Sequence, residues 1–242
     1  MNTLNERLKS AVQSTPVPPY LEARIRNRIR TAAEPRSWTL RLIPAAIAAG
    51  LLITVGTAYQ LGHLRRTRAS QESYITSVSS QISSLMRVGF GDHLHCSFFR
   101  KYPKNAPTAA ELVTKIGPKY AELVPVVRKH VPEQYKMTIA HECHYRNRGF
   151  IHLSLKDDSN MLSLVITRKN QGESFAVEQM LPALVQSGIP MYQNSAQRFT
   201  MTAFETGDFL VYFVSDLPQN VNTQMMLAMT PEVKEILTKL AS

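Results

Sequence analysis

The sequence lacks the short motifs that identify the common classes of enzyme. It contains no Gly-x-Ser-x-Gly elbow, no His-Glu-x-x-His zinc-protease motif, no phosphate-binding glycine loop and no Cys-x-x-Cys pair. The segment His141-Glu142-Cys143-His144 resembles the zinc-protease motif only superficially, because its spacing differs and it is predicted to form a strand. We therefore predict that the protein is not an enzyme, and we assign no catalytic residue.

Acidic side chains are also scarce, with 18 against 28 basic ones and a net charge of +10. Most of the excess lies near the N-terminus, where residues 1–41 carry eight basic and three acidic side chains and Arg65, Arg66 and Arg68 follow. Residues 69–242 carry 17 basic and 15 acidic side chains. A nucleic-acid-binding domain normally concentrates its positive charge on its folded part. The sequence therefore does not predict nucleic-acid binding.

One long run contains no charged residue. Leu42–Leu61 comprises twenty uncharged residues, and arginines bracket it. A helix needs about 20 apolar residues to cross the core of a bilayer. The run therefore predicts an uncleaved transmembrane signal-anchor over residues 39–64. Flanking Arg and Lys favour the cytoplasmic side, so the N-terminus is predicted to be cytoplasmic and the protein to lie in a bacterial inner membrane.

This topology divides the chain into four regions. Residues 1–38 are predicted to form a basic cytoplasmic tail, 39–64 a transmembrane helix, 65–90 a helical stalk and 91–242 a periplasmic domain. One apolar stripe in the stalk has the 3-4-3 spacing of a heptad, namely Ile75, Val78, Ile82 and Leu85. We expect this stripe to pack on the domain or on a second copy in a homodimer.

The periplasmic region is predicted to be an α+β domain with an antiparallel β-meander and flanking helices. Apolar runs separated by short turns predict strands at 136–146, 150–156 and 161–168. A further hairpin is expected at 197–205 and 209–215, and helices are expected at 20–33, 69–88, 109–116, 119–130, 175–187 and 219–240. Met225, Met226 and Met229, at helical spacing, are predicted to pack in the core.

Metal-binding residue types are crowded into two segments of this domain. Asp92–Cys96 reads Asp-His-Leu-His-Cys, His141–Tyr145 reads His-Glu-Cys-His-Tyr, and His152 follows. Together they hold both cysteines and five of the seven histidines of the chain. Alternate residues of a strand share a face, so we expect His141 and Cys143 to point the same way. A turn at 147–149 would then place His152 level with them.

The cluster has three interpretations. In the first, His93, Cys96, His141 and Cys143 bind zinc or copper, with His152 as a rival ligand, or the site binds haem. In the second, Cys96 and Cys143 form a disulfide, whose loop closure stabilises the fold by about 4 kcal/mol. In the third, the cysteines are buried and the histidines make structural hydrogen bonds.

Three short motifs carry a resemblance to a known family. Asp92–Cys96 has the pattern Asp-His-x-x-Cys, His141–Tyr145 has His-x-Cys-x-Tyr, and Arg148–His152 has Arg-x-Phe-x-His. In these motifs the chain resembles a set of bacterial membrane-bound anti-sigma factors that have a distinctive extracytoplasmic domain. The resemblance covers about residues 20–170 and includes the basic segment Leu21–Arg30.

The resemblance implies a regulatory protein that senses a metal, haem or a redox change and biases a cytoplasmic partner such as a sigma factor. The usual zinc-binding anti-sigma motif of the family, His-x-x-x-Cys-x-x-Cys, is absent, because residues 1–38 contain no histidine and no cysteine. The alternative function is a periplasmic metal- or haem-handling protein without regulatory output. The lipid bilayer is the other predicted partner.

Overall fold

The computed structural model describes residues 4–14, 16, 18–32, 38–80, 82–100, 102, 105–186 and 188–241, with the side chains of residues 32, 38–49 and 186 left out. The chain divides into two units, Met1–Leu64 and Arg65–Ser242. The first unit contains helix α1 (Leu4–Ser14), helix α2 (Pro19–Ala32) and the first part of helix α3 (Trp38–Ser79). The helix predicted at 20–33 is thus confirmed as α2.

The predicted membrane span is wrong. Within the part of the chain that the structure describes, no helix is both long enough and apolar enough to cross a membrane. Leu42–Leu61 does lie in α3, but side chains are described only from Gly50 onward, and this part of the run includes Thr54, Thr57 and Tyr59. These polar groups dilute the apolar surface that a span requires. The transmembrane element, the single-pass topology and the inner-membrane location are corrected accordingly.

The region predicted as one stalk helix consists of two helices. Helix α3 ends at Ser79, and helix α4 (Ser84–His93) begins after a cap in which the Ser83 hydroxyl accepts a hydrogen bond from the backbone N–H of Met86. The apolar stripe Ile75, Val78, Ile82 and Leu85 is buried in a core cluster of the second unit. The stripe that suggested self-association therefore packs on the chain's own domain.

The second unit is built on a seven-stranded antiparallel sheet with strand order β1-β2-β3-β7-β6-β5-β4. The strands are β1 (Lys136–Tyr145), β2 (Arg148–Lys156), β3 (Met161–Arg168), β4 (Leu184–Gln186), β5 (Ile189–Ala196), β6 (Phe199–Glu205) and β7 (Phe209–Ser215). The predicted meander and hairpin are confirmed as β1–β3 and β6–β7. The predicted helix 175–187 is wrong over its described residues, since 175–186 form turns and β4; Ser187 lies outside the described residues. Pro182 lies within it and cannot continue a helix.

Helices cover both faces of this sheet. Helices α5 (Ala109–Ile116), α6 (Leu123–His130) and α7 (Gln219–Ala241) pack on one face, and a capping box of Thr108 and Glu111 begins α5. The three methionines predicted as core residues are buried there. The end of α3 and α4 pack on the other face, where a Cβ atom at Gly89 would lie 2.3 Å from Cγ of Tyr212. Only a glycine allows α4 to approach β7 this closely.

Candidate metal centre

A change of helix type places two side chains of the centre. Helix α4 ends at His93 and continues as a π-helix, Leu94–Phe98, in which the N–H of Phe99 donates to the carbonyl of Leu94 at 3.2 Å. Residues five apart are hydrogen-bonded neighbours in a π-helix. The wider turn allows Asp92, Cys96 and Ser97 to face the sheet together. π-Helical turns occur often at functional sites.

The β1–β2 hairpin supplies the other two side chains. His141 lies opposite His152, and Cys143 lies opposite Phe150. Since alternate residues share a face, His141, Cys143 and His152 all point towards the π-helix. The prediction that His152 lies level with His141 and Cys143 on the neighbouring strand is confirmed.

Four donor atoms converge where the hairpin meets the end of α4. One ligand atom each from Asp92, Cys96, Cys143 and His152 lies within 4.8 Å of the other three. Nδ1 of His152 is 2.5 Å from Oδ2 of Asp92, and Sγ of Cys143 donates to Oδ1 of Asp92 at 3.3 Å. Asp92 therefore connects the helix to both strands of the hairpin.

A layer of buried hydroxyls holds the second nitrogen of His152. Nε2 of His152 lies 2.8 Å from Oγ of Ser97 and 3.0 Å from Oγ of Ser163. Ser97 also donates to Ser154 at 2.9 Å, and all of these side chains are fully buried. A metal-bound histidine commonly has its second ring nitrogen fixed by a polar neighbour. His152 has this arrangement, with Nδ1 directed at the donor group.

Burial and neighbouring charges shift the pKa values of His152 and His93 in opposite directions. Burial lowers the pKa of His152, but the charge and hydrogen bond of Asp92 and the neighbouring Cys96 outweigh it and raise that pKa to about 9. Burial, followed by the nearby His152, lowers the pKa of His93 to about 3. His152 is therefore the cation that pairs with Asp92, and His93 is neutral.

The pKa values of the two thiols are also shifted in opposite directions. The hydrogen bond from Cys143 lowers the pKa of the Cys96 thiol, and His141 and His152 add to this effect against the opposing influence of burial. The pKa of Cys143 is raised by its contact with Cys96, by burial and by the charge of Asp92. Cys96 is therefore the thiol of the pair that loses its proton more readily.

The structure brings together three of the five predicted ligands. Cys96, Cys143 and His152 belong to the donor group, whereas His93 is turned aside, with Nδ1 at 3.0 Å from Oγ of Ser163. The ring of His141 lies 6.1 Å from that of His152, and its Nε2 is buried without a hydrogen-bond partner among the described residues. His141 lies beside the donor group, where it hydrogen-bonds to Cys96. Both cysteines are free thiols.

Sequence reasoning missed Asp92 as a donor. The prediction chose His93 by ligand type, as part of a two-cysteine, two-histidine set. In an α-helix, both Asp92 and His93 would lie beside Cys96. The π-helix rotates the chain so that Asp92 takes that position instead. The available signal was the carboxylate itself, one residue before His93 in a cluster of metal-binding residue types.

The donor group fits a small tetrahedral metal ion. Zinc bonds of about 2.0–2.3 Å place tetrahedral donors about 3.3–3.8 Å apart. The observed upper limit of 4.8 Å requires shifts of only about 1 Å. Two thiols, one imidazole and one carboxylate are all ligand types that zinc accepts. The hydrogen bonds of Cys143 and His152 to Asp92 also agree with the third interpretation, in which the cluster is structural.

The hydrogen-bonded series Asp92–His152–Ser97 has the acid, base and nucleophile order of a catalytic triad. Asp92, His152 and Ser97 have no exposed surface. Ser97 also hydrogen-bonds to Ser154 and Ser163, so its hydroxyl is already engaged. A substrate cannot reach this hydroxyl unless the layer opens. The hydrogen bonds of this series therefore orient His152. The buried Ser97 hydroxyl is not an accessible nucleophile.

Comparisons with known proteins find no matching family model, no matching curated protein and no matching solved structure, so the resemblance to anti-sigma factors rests on the three short motifs alone.

Proposed function

We propose that this chain is a metal-responsive regulatory protein that binds one zinc ion through Asp92, Cys96, Cys143 and His152. The observation that supports this function is the convergence of four donor atoms within 4.8 Å. The donors come from one helix end and two strands, so an ion bound there joins three elements of the fold. Such an ion alters the folded state, which is the property that a sensor requires.

The chemistry of the donors favours zinc over copper and haem. A carboxylate is a hard ligand that suits zinc better than copper(I), which prefers thiolates and thioethers. A porphyrin needs a wide opening beside its axial ligand, and His152 is fully buried with polar partners on both ring nitrogens. A single ion needs no such opening. Zinc therefore fits the donor set and the space best.

The regulatory part of the proposal rests on the three motifs. Their named positions meet in one region: Asp92 and His152 form the ion pair, Cys143 hydrogen-bonds to Asp92, and Phe150 and Tyr145 belong to the same core cluster. Motifs that are distant in sequence thus form one structural unit. A regulator such as a sigma factor is the class of partner that the resemblance implies. A metal-handling protein without regulatory output is the alternative.

The test of the zinc site is stoichiometry in the full chain. Protein purified without chelators is expected to contain about one zinc per chain by elemental analysis. Cobalt(II) substitution should give the thiolate charge-transfer absorption of a tetrahedral site. Cys96→Ser and His152→Ala should abolish both signals. His144→Ala is the matched control, because His144 lies on β1 beside Cys143 but is exposed on the opposite face.

The zinc proposal fails if wild-type protein binds no metal, or if His144→Ala removes the metal as completely as His152→Ala. Zinc binding without any effect on a sigma factor or comparable partner, together with zinc transfer to an acceptor protein, favours the metal-handling alternative. A crosslink from the chain to a regulator that changes with zinc favours the regulatory function.

A thiol-based redox function is the second candidate, because the sulfurs of Cys96 and Cys143 lie within 4.8 Å and both are free. A peroxide could accept two electrons from the two thiols, giving one disulfide and two molecules of water. A free-thiol count before and after hydrogen peroxide tests it. Loss of both thiols with one new disulfide supports this candidate, and retention of both thiols overturns it.

A further inference from the structure

The last turns of α3 contact the polypeptide just beyond one cysteine of the centre. The ring of Tyr74 stacks on Phe98, with centroids 5.9 Å apart, and meets Phe99 edge to face at 5.8 Å. Phe98 is the last residue of the π-helix and follows Cys96 by two positions. We call this set of contacts the aromatic contact. It attaches α3 to the helical side of the centre.

A second contact attaches α3 to the polypeptide just beyond the other cysteine. Oε2 of Glu72 accepts hydrogen bonds from Nη2 of Arg146 at 2.9 Å and from the hydroxyl of Tyr145 at 3.4 Å. Tyr145 follows Cys143 by two positions, and its ring stacks on His95 at 4.9 Å. We call this set the polar contact. It attaches α3 to the strand side of the centre.

The donor residues are one of several links between the two sides of the centre. The others include the stacking of His95 on Tyr145 and the hydrogen bonds of Ser97 to His152 and Ser154. Strand β1 is at the edge of the sheet and pairs with β2 alone among the described strands. The π-helix is a short element of five residues. The bonds of Asp92, near the end of α4, to Cys143 on β1 and His152 on β2 connect the helical side to the hairpin. The relative position of the two contacts for α3 therefore depends in part on the centre.

We propose that occupancy of the Asp92–Cys96–Cys143–His152 centre controls how firmly residues 70–79 of α3 dock on the domain. This inference rests on the proposed zinc site. A metal ion that ties the π-helix to β1 fixes the aromatic and polar contacts relative to each other. Helix α3 must engage both contacts at once, and a preorganised pair of contacts binds better than a mobile pair. Zinc binding therefore strengthens docking of α3.

Thermodynamic linkage makes the coupling reciprocal. If zinc strengthens the docking of α3 by some factor, loss of that docking weakens zinc binding by the same factor. Tyr74 and Glu72 are positioning residues in this scheme, since neither reaches the donor atoms. Their replacement should change zinc affinity without changing zinc stoichiometry.

The experiment measures hydrogen exchange of residues 70–79 in the full chain, with and without zinc(II). Zinc should slow exchange at least about five-fold, the lower end of typical coupling factors. Tyr74→Ala should remove this response and weaken zinc binding by the same factor. Tyr74→Phe retains the ring contacts and should retain the coupling. Thr76→Ala, an exposed substitution two residues further along α3, is the control for general effects on the helix.

Two results overturn the inference while the zinc site stands: stoichiometric zinc binding with unchanged exchange of residues 70–79, or equal zinc affinity in wild type and Tyr74→Ala. An effect of Thr76→Ala as large as that of Tyr74→Ala also overturns it, because the coupling would not pass through the aromatic contact. Failure of wild-type protein to bind zinc overturns the proposed function, and the inference with it.

Discussion

The two faces of strand β2 have opposite chemical characters, although both are buried. Ile151, Leu153 and Leu155 face the cluster formed with α5, α6 and α7. His152 and Ser154 alternate with them and face the end of α4 and the π-helix. A single strand therefore contributes to an apolar core on one side and to a polar layer on the other.

The difference between the two faces shows where specificity arises in this fold. Apolar contacts are non-directional, and many packings of similar volume are nearly equivalent. A buried polar group is costly unless a partner meets it in a defined geometry. His152 satisfies this condition with both ring nitrogens. The polar face thus fixes the position of each side chain, and the apolar face supplies most of the stability.

The largest expected effect comes from removing His152. His152→Ala should lower the free energy of unfolding by about 3–5 kcal/mol, because the buried Asp92 carboxylate loses its ion-pair partner. Urea denaturation of metal-free protein measures this change. Replacing both partners, Asp92→Leu with His152→Leu, should recover much of the stability but not the zinc site. A loss below about 1 kcal/mol for His152→Ala would contradict the assignment of a buried ion pair.

A substitution one residue away tests the other face. Leu153→Ala should lower the free energy of unfolding by about 3 kcal/mol, because it removes buried apolar surface and leaves a cavity. Leu153 is fully buried in the apolar cluster. Zinc stoichiometry in the folded protein should remain that of the wild type. Loss of zinc from folded Leu153→Ala protein, by elemental analysis, would show that the two faces do not act separately.

Much of this arrangement could be predicted from the sequence. The β1–β2–β3 meander follows from short turns between apolar runs, and strand alternation places Cys143 and His152 on one face. These predictions succeed because strand periodicity is local and the turn between β1 and β2 fixes their register. The sequence therefore predicts correctly that Cys143 and His152 lie on one face of the β1–β2 hairpin.

Other features depend on context that the sequence does not show. The choice of Asp92 over His93 depends on a π-helical turn, which has no clear sequence signature. The segment 175–187 has helix-forming residues, but Pro182 and the pairing of β4 with β5 override them. The run Leu42–Leu61 is as long as a membrane span, but no helix of the described residues is both long enough and apolar enough to cross a membrane. In each case a tertiary or compositional effect outweighs the local pattern.

The smallest expected effect concerns the hydroxyl layer behind His152. Ser163→Ala removes a hydroxyl that lies 3.0 Å from Nε2 of His152 and 3.0 Å from Nδ1 of His93. Ser97 still contacts Nε2 of His152, whereas Nδ1 of His93 loses its hydroxyl partner. We therefore expect a loss of about 1–2 kcal/mol in unfolding free energy. Zinc affinity should fall by about 10–100-fold, because the ligand is less firmly oriented.

Competition with a chromophoric chelator measures that affinity, and Ser195→Ala is the matched control, because Ser195 is an exposed serine on β5 outside the layer. Ser163 touches no donor atom of the other three ligands in this scheme, so its effect on zinc must pass through the orientation of His152. If Ser163→Ala binds zinc as tightly as the wild type, the polar face confers stability alone. The contrast between the two faces of β2 would then be one of packing chemistry, without a division between binding and stability.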